Sequence, residues 1–266
     1  MDREELARSV LDQLGETHAR LVHVRDGREH HVFRAQFAEG ERMLKIPRED
    51  GLADPFDPTR TPLERLMGEG DAISLARGVP VPRFYAVHNT TPVCATMEVL
   101  PGQTAEQALE RGQLDESSLA RVCLQMGRTL AALHGVRRPE GNLHLPVLPG
   151  ETDGPARLLH LDFHLGNVIG RPHLGVGWEI TGVVDWTCAR WGPAEADFVE
   201  MQIGVFIRNP GARDAFIAGY RQISLRAVDV ADVERRAGLE LKRRLASEPD
   251  AGGEARHHWQ AFADRF

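Results

Sequence analysis

Residues 2–14 carry Leu6, Val10, Leu11 and Leu14 at helical spacing behind Asp2, a residue type suited to an N-cap, so the chain opens with an amphipathic helix. Three short β-rich runs follow: RLVHVR (20–25), HHVFRAQF (30–37) and ERMLKI (41–46). Asp26-Gly27 and Ala38-Glu39-Gly40 separate them with turn-forming residues, which predicts a three-stranded antiparallel meander. PREDGLADPFDPTR (47–60) has no periodicity and is dense in Pro, Asp and Gly, so it reads as a loop. Thr61-Pro62 then starts a helix with Leu63, Leu66, Met67 and Ile73 as its apolar stripe, despite Gly68 and Gly70. PRFYAVH (82–88) and VCATMEV (93–99) predict two more strands. The result is a sheet with one helix laid on it, closed by a hinge at Leu100-Pro101-Gly102.

Beyond the hinge the pattern turns helical. TAEQALER (104–111) is followed by residues 115–134, where Leu119, Val122, Cys123, Met126, Leu130 and Leu133 share one face. Residues 157–185 are β-like with turns, and 194–266 return to helical patterning broken at Asn209-Pro210-Gly211 and at Glu248-Pro249-Asp250. The expected class is α+β, with a sheet-rich lobe over 1–99 and a mainly helical lobe over 100–266.

Composition narrows the function classes. At 266 residues the chain can bury a substantial core, and 42% hydrophobic with 27% charged residues is ordinary for a soluble protein. No stretch approaches the roughly 20 apolar residues of a membrane span. A net charge of −7 disfavours a general grip on nucleic acid or anionic lipid, so neither is an expected partner. The acidic, amphipathic start MDREELARSVLDQL lacks the basic and apolar regions of a secretory signal, and Cys94, Cys123 and Cys188 are too far apart for a disulfide framework or a CxxC site. Cytoplasmic residence is expected.

The chemistry concentrates in LLHLDFHLGNVI (158–169). Strand alternation would put His160 and Asp162 on one side and Leu159 and Leu161 on the other, with Gly166 allowing a turn. That delivers a carboxylate at a strand end and an amide, Asn167, five residues later. Phosphoryl transfer to an alcohol needs such a pair, the acid to orient the hydroxyl and take its proton, the amide oxygen to help hold a metal. The apolar run EITGVVDW ends in Asp185, a second carboxylate able to bind magnesium, which prefers oxygen ligands.

HLDFHLGN resembles the H-x-D-x-x-x-x-N loop of the aminoglycoside phosphotransferase and choline kinase-like families, and VVDWTCARWGPAEADF resembles their metal-binding strand and following helix. The resemblance spans about residues 20–205 and implies a protein-kinase-like two-lobed fold. It also implies a small-molecule kinase that moves the γ-phosphate of ATP or GTP, with Mg2+, to a hydroxyl of an aminoglycoside or similar antibiotic. Asp162 would be the catalytic base, Asn167 and Asp185 the magnesium ligands, His160 a support for the loop and Asp197 a support at a helix start. Family members more often carry Gly where this chain has Leu161, a departure expected to affect packing more than chemistry. Lys45 would contact the nucleotide phosphates, paired with Glu69, with Glu64 and Asp71 as other candidates. MEVLPG (97–102) resembles the inter-lobe hinge, whose backbone at Glu98, Val99 and Leu100 would bind the adenine edge. VRDGREHHV, the phosphate-covering loop by the same resemblance, holds only Gly27 where protein kinases have several glycines.

In the family the helical lobe binds the acceptor, and acidic groups there suit an aminated sugar; Glu195, Glu200 and the Phe266 carboxylate are candidates. Two other readings stand beside this one. His160, Asp162, His164 and Asp185 could form the site of a metal-dependent hydrolase, or the chain could be a non-catalytic kinase-like nucleotide-binding module. His30-His31 and His257-His258 are expected to be exposed pairs.

Overall fold

A computed structural model describes all residues except 1, 28, 52, 142, 150–155, 176 and 248–255, so the expected break at Glu248-Pro249-Asp250 lies outside the described residues. Helix α1 (Arg3–Gln13) starts where Asp2 and Glu5 cap each other's backbone N–H groups. Strands β1 (Leu21–Asp26), β2 (His30–Phe37) and β3 (Gly40–Pro47) form the expected meander. Helix α2 (Pro62–Leu75) precedes β4 (Phe84–His88) and β5 (Cys94–Glu98). The five strands make one antiparallel sheet in the order β1-β2-β3-β5-β4.

Strand alternation gives this sheet two different faces. Phe33 and Ala35 of β2 and Leu44 and Ile46 of β3 pack with Ala7, Val10 and Leu11 of α1. Leu66 of α2 packs on the other face with Ala95, Met97 and Met43. The expected helix therefore covers one face and the opening helix covers the other. Lys45 shares the Met43 face, and β3 lies between β2 and β5, so its side chain is delivered to the cleft from the middle of the sheet.

The second lobe begins with β6 (Gln103–Thr104), α3 (Ala105–Glu110) and α4 (Glu116–His134). Strand β7 (Arg157–Leu159) leads to a 3₁₀ turn at Leu165–Asn167, then β8 (Val168–His173) and β9 (Gly177–Val183) form a ladder with β6. A short strand β10 (Arg190–Gly192), not foreseen from its pattern, pairs with β7 and buries Arg190 and Trp191. A 3₁₀ turn at Ala194–Phe198 runs into α5 (Val199–Met201) and a π-helical turn at Gln202–Phe206. Helices α6 (Pro210–Ile223), α7 (Val230–Ser247) and α8 (Arg256–Ala263) complete the lobe.

The main core lies in this lobe, where Val122, Met126 and Leu130 of α4 meet Phe216 and Tyr220 of α6 together with Trp178, Trp191 and Phe198. Helices α4 and α6 cross with their backbones almost in contact. A Cβ on Gly127 would run into the carbonyl of Phe216, and one on Gly219 into the carbonyl of Leu124. A backbone cannot step aside as a flexible side chain can. Gly127→Ala and Gly219→Ala should each destabilise the protein by about 1–3 kcal/mol through overpacking. Urea denaturation followed by tryptophan fluorescence measures this, and unchanged midpoints for both variants would contradict the close crossing.

Candidate active site

Lys45 is buried, with Nζ 2.9 and 3.0 Å from the two carboxylate oxygens of Glu69 and 2.7 Å from Asp185 Oδ1. Burial by itself lowers its pKa, but Asp185 and Glu69 more than reverse this, so the ammonium stays charged. Glu69 also accepts the backbone N–H of Trp186 at 3.0 Å. The choice of Glu69 as partner is met by geometry. Glu64 is committed to the cap of α2, where it accepts from Thr61, and Asp71 accepts from His144.

The loop after β7 departs from simple alternation. The strand ends at Leu159, and Leu161 has a φ of 62°, so His160 and Asp162 are not placed by a pleat. They are placed by hydrogen bonds. Asp197, in the turn before α5, accepts the N–H of His160 at 2.8 Å and the N–H of Leu161. His160 Nε2 donates to the Val184 carbonyl at 3.1 Å, which leaves Nδ1 to accept the Asp162 N–H at 3.2 Å. Burial lowers the His160 pKa, in keeping with the neutral ring these contacts require. The left-handed conformation is one that glycine adopts without cost, so Leu161 bears on the backbone here as well as on packing. Its side chain packs with Leu148 and Leu159, while the left-handed conformation costs a non-glycine residue about 1–2 kcal/mol.

Asn167 ends the 3₁₀ turn and donates from Nδ2 to the Asp162 carbonyl at 2.9 Å and to Asp162 Oδ2 at 2.7 Å. Asp185 lies two residues past β9 with φ 68°, and its Oδ1 also accepts from Thr187 Oγ1 at 3.2 Å. His164 Nε2 is 3.5 Å from Asp162 Oδ1. Burial lowers the His164 pKa, yet the hydrogen bond and charge of Asp162, with smaller help from Glu200 and Glu106, leave it raised overall.

Gly27, Lys45, Glu69, Glu98, Val99, Leu100 and Asp185 all line one cavity of about 560 Å³ between the sheet and the second lobe. The N–H of Glu98 is already committed to the Arg83 carbonyl at 2.8 Å, so Val99 and Leu100 are the hinge residues left to offer N–H donors to a ligand. His30 is 5% exposed and lines this cavity, against the expectation of an exposed His30-His31 pair, because β2 alternation turns it to the same face as Val32. His257 and His258 are exposed as expected.

His134 and Tyr220 escaped the sequence reading. His134 Nε2 is 3.1 Å from Asp197 Oδ2 and its Nδ1 is 2.9 Å from the Tyr220 hydroxyl, so α4 and α6 together hold the carboxylate that holds the loop. A histidine closing an otherwise apolar helical stripe was the available signal for one of them. Glu29, also unforeseen, reaches into the cavity from the β1–β2 turn, paired with Arg65 and 3.4 Å from Thr187 Oγ1. Of the acceptor candidates, Glu195 is buried against Arg226, with both oxygens 3.1 Å from Nη2. Glu200 pairs with Arg244; its pKa is raised, chiefly by burial, with Asp162 adding to it. The Phe266 ring packs on Gly238 of α7, and no contact among the described residues joins Phe266 to Asp162. Glu106, not foreseen, lies against Gly166.

Among the described residues no group of three or more His, Cys, Asp and Glu side chains is arranged to hold a metal ion. His160, Asp162, His164 and Asp185 therefore do not form the hydrolase cluster. Both ring nitrogens of His160 are occupied by the backbone.

No helix among the described residues is long and apolar enough to cross a membrane. No curated protein matches the sequence. Solved structures share the fold at low identity. Aminoglycoside phosphotransferase APH(4)-Ia superposes with a TM-score of 0.62 at 13% identity, covering 99% of each chain. Macrolide 2'-phosphotransferase type I gives 0.59 at 15% identity, covering 100% of this chain and 97% of that one. Spectinomycin phosphotransferase APH(9)-Ia, solved with ADP and spectinomycin, gives 0.54 at 11% identity over 93% and 88% of the two chains. The sequence itself matches the phosphotransferase enzyme family, APH, over residues 20–146 and 142–239, most of its length, and the chain belongs to that family.

Proposed function

We propose that this protein transfers the γ-phosphate of ATP or GTP to a hydroxyl of a small molecule, with aminoglycosides and similar hydroxylated antibiotics as the leading acceptor class. The observation that carries the reading is a single cavity lined by Lys45, Glu69, Asp185 and Gly166, the last adjoining Asn167, whose amide donates to Asp162. A solved neighbour, APH(4)-Ia, was captured with AMP-PNP and hygromycin B, which supports both a nucleotide donor and an antibiotic acceptor.

The donor set fits magnesium. Asp185 offers carboxylate oxygens, and Asn167, whose amide nitrogen is directed at Asp162, has its carbonyl oxygen to offer; two protein oxygens suit a cation that takes its other ligands from phosphate and water. When bound, magnesium would neutralise charge developing on the phosphates. Lys45, held by Glu69, would meet the phosphates, and Val99 and Leu100 line the cavity where the base would lie. Asp162 would orient the acceptor hydroxyl and take its proton, while His160 and Asp197 keep its backbone in place. Most of the catalysis on this reading is positioning and charge neutralisation. The lobes 1–99 and 100–266 would then hold the nucleotide and the acceptor respectively.

The reading is tested by nucleotide consumption with ATP and GTP, in magnesium, against a panel of hydroxylated antibiotics, amino alcohols and sugars. Acceptor-dependent turnover is expected. Asp162→Asn should cut kcat by roughly 10²–10⁴-fold while nucleotide affinity, followed with a fluorescent analogue, is largely kept; a variant with near-normal turnover would remove Asp162 from the chemistry. His164 gives a separate expectation. Protonated, it pairs with Asp162 and makes that carboxylate a poorer base, and its pKa lies above the ordinary imidazole value. kcat/KM should thus rise with pH through that raised value, and His164→Gln should abolish this limb of the profile. An unchanged profile in the variant would assign the limb to another group.

A further inference from the structure

A second cavity, of about 1050 Å³, lies outside the site described above. It opens where the C-terminal ends of α2, α4 and α6 converge, with Arg157 at the start of β7 on its wall. Among the described residues its lining contains Arg77, Arg137, Arg157 and Arg226 and no Asp or Glu, in a chain whose net charge is −7. Arg226 is answered by Glu195. Among the described residues, the guanidiniums of Arg77, Arg137 and Arg157 have no carboxylate partner and donate no hydrogen bond.

Some of this charge complements the helix ends, whose dipoles favour cations. Arg77 and Arg137 are exposed and Arg157 is half-buried, and none of the three donates to a helix-terminal carbonyl, so their N–H groups are open to a ligand. The rest of the wall is apolar, with Leu75, Val136 and the 55% exposed Ile223 turned to the space. The polar atoms at the inner end are committed to one another: His134 bridges Tyr220 and Asp197. The groups left to recognise a ligand are therefore arginine N–H donors and hydrocarbon, the combination that selects planar anions carrying an apolar body.

We propose that this cavity is a binding site for a small organic anion, its acidic head among Arg77, Arg137 and Arg157 and its apolar body against Leu75, Val136 and Ile223. The site is separate from the phosphotransfer cleft and does not depend on the function assigned to that cleft.

The test compares two fluorescent probes with one ring system, 1-anilinonaphthalene-8-sulfonate and the uncharged N-phenyl-1-naphthylamine, on the full chain. The sulfonate is expected to bind more tightly, with an affinity that falls as salt rises. Arg137→Gln with Arg157→Gln should weaken it by about tenfold or more, the usual effect of losing charge-assisted hydrogen bonds. Ile223→Glu, a change at an exposed position that folding should tolerate, should weaken it as well. Val24→Glu, at an exposed position on the wall of the other cavity, should leave it unchanged. Equal binding of both probes, or sulfonate binding lost in Val24→Glu and kept in the arginine and Ile223 variants, would overturn the proposal.

Discussion

The buried ammonium of Lys45 joins three parts of the chain that are remote in sequence. It arrives from β3, Glu69 from α2 and Asp185 from the segment after β9, and the contacts are all 3.0 Å or shorter. Charges removed from water are tolerated only when paired, so displacing any of these elements would leave an uncompensated ion in the interior. The pairing ties the sheet, its helix and the second lobe to one geometry. It also leaves two carboxylates facing one ammonium, a net negative charge that would suit the magnesium ion proposed for this site.

Asp197 does for the loop after β7 what Lys45 does for the cleft. One carboxylate takes two consecutive backbone N–H groups and the ring of His134, so the loop is fixed by its backbone before any side chain is considered. The two non-glycine residues with positive φ among those described, Leu161 and Asp185, both belong to this region. Strained conformations persist where surrounding contacts over-determine them. Here Asp197 and His160 hold the one, and Lys45 and Thr187 hold the other. The close crossing of α4 and α6 supplies the frame, because it sets Tyr220 against His134 and His134 against Asp197.

The sequence by itself determined the elements and the chemistry they carry. Periodicity and turn residues located the β-meander, α2, α4 and the change from sheet to helix near residue 100, since these depend on side chains close in the chain. Asp162, Asn167 and Asp185 stood out because phosphoryl transfer to an alcohol calls for an acid, an amide and a second acid in that order. What tertiary structure alone decided is how they are held. β10 forms only because β7 offers it an edge; Glu69 rather than Glu64 or Asp71 meets Lys45 because α2 turns that face inward; His30 is buried because the cleft covers its side of β2. The left-handed turn at Leu161 is invisible to residue propensity, which argues against it, since Asp197 imposes it from 36 residues away. His134 and Tyr220 are separated by 86 residues, and no local pattern could pair them. Local forces specify secondary structure and residue type, whereas these contacts exist only when the packed core brings distant polar groups to hydrogen-bonding distance.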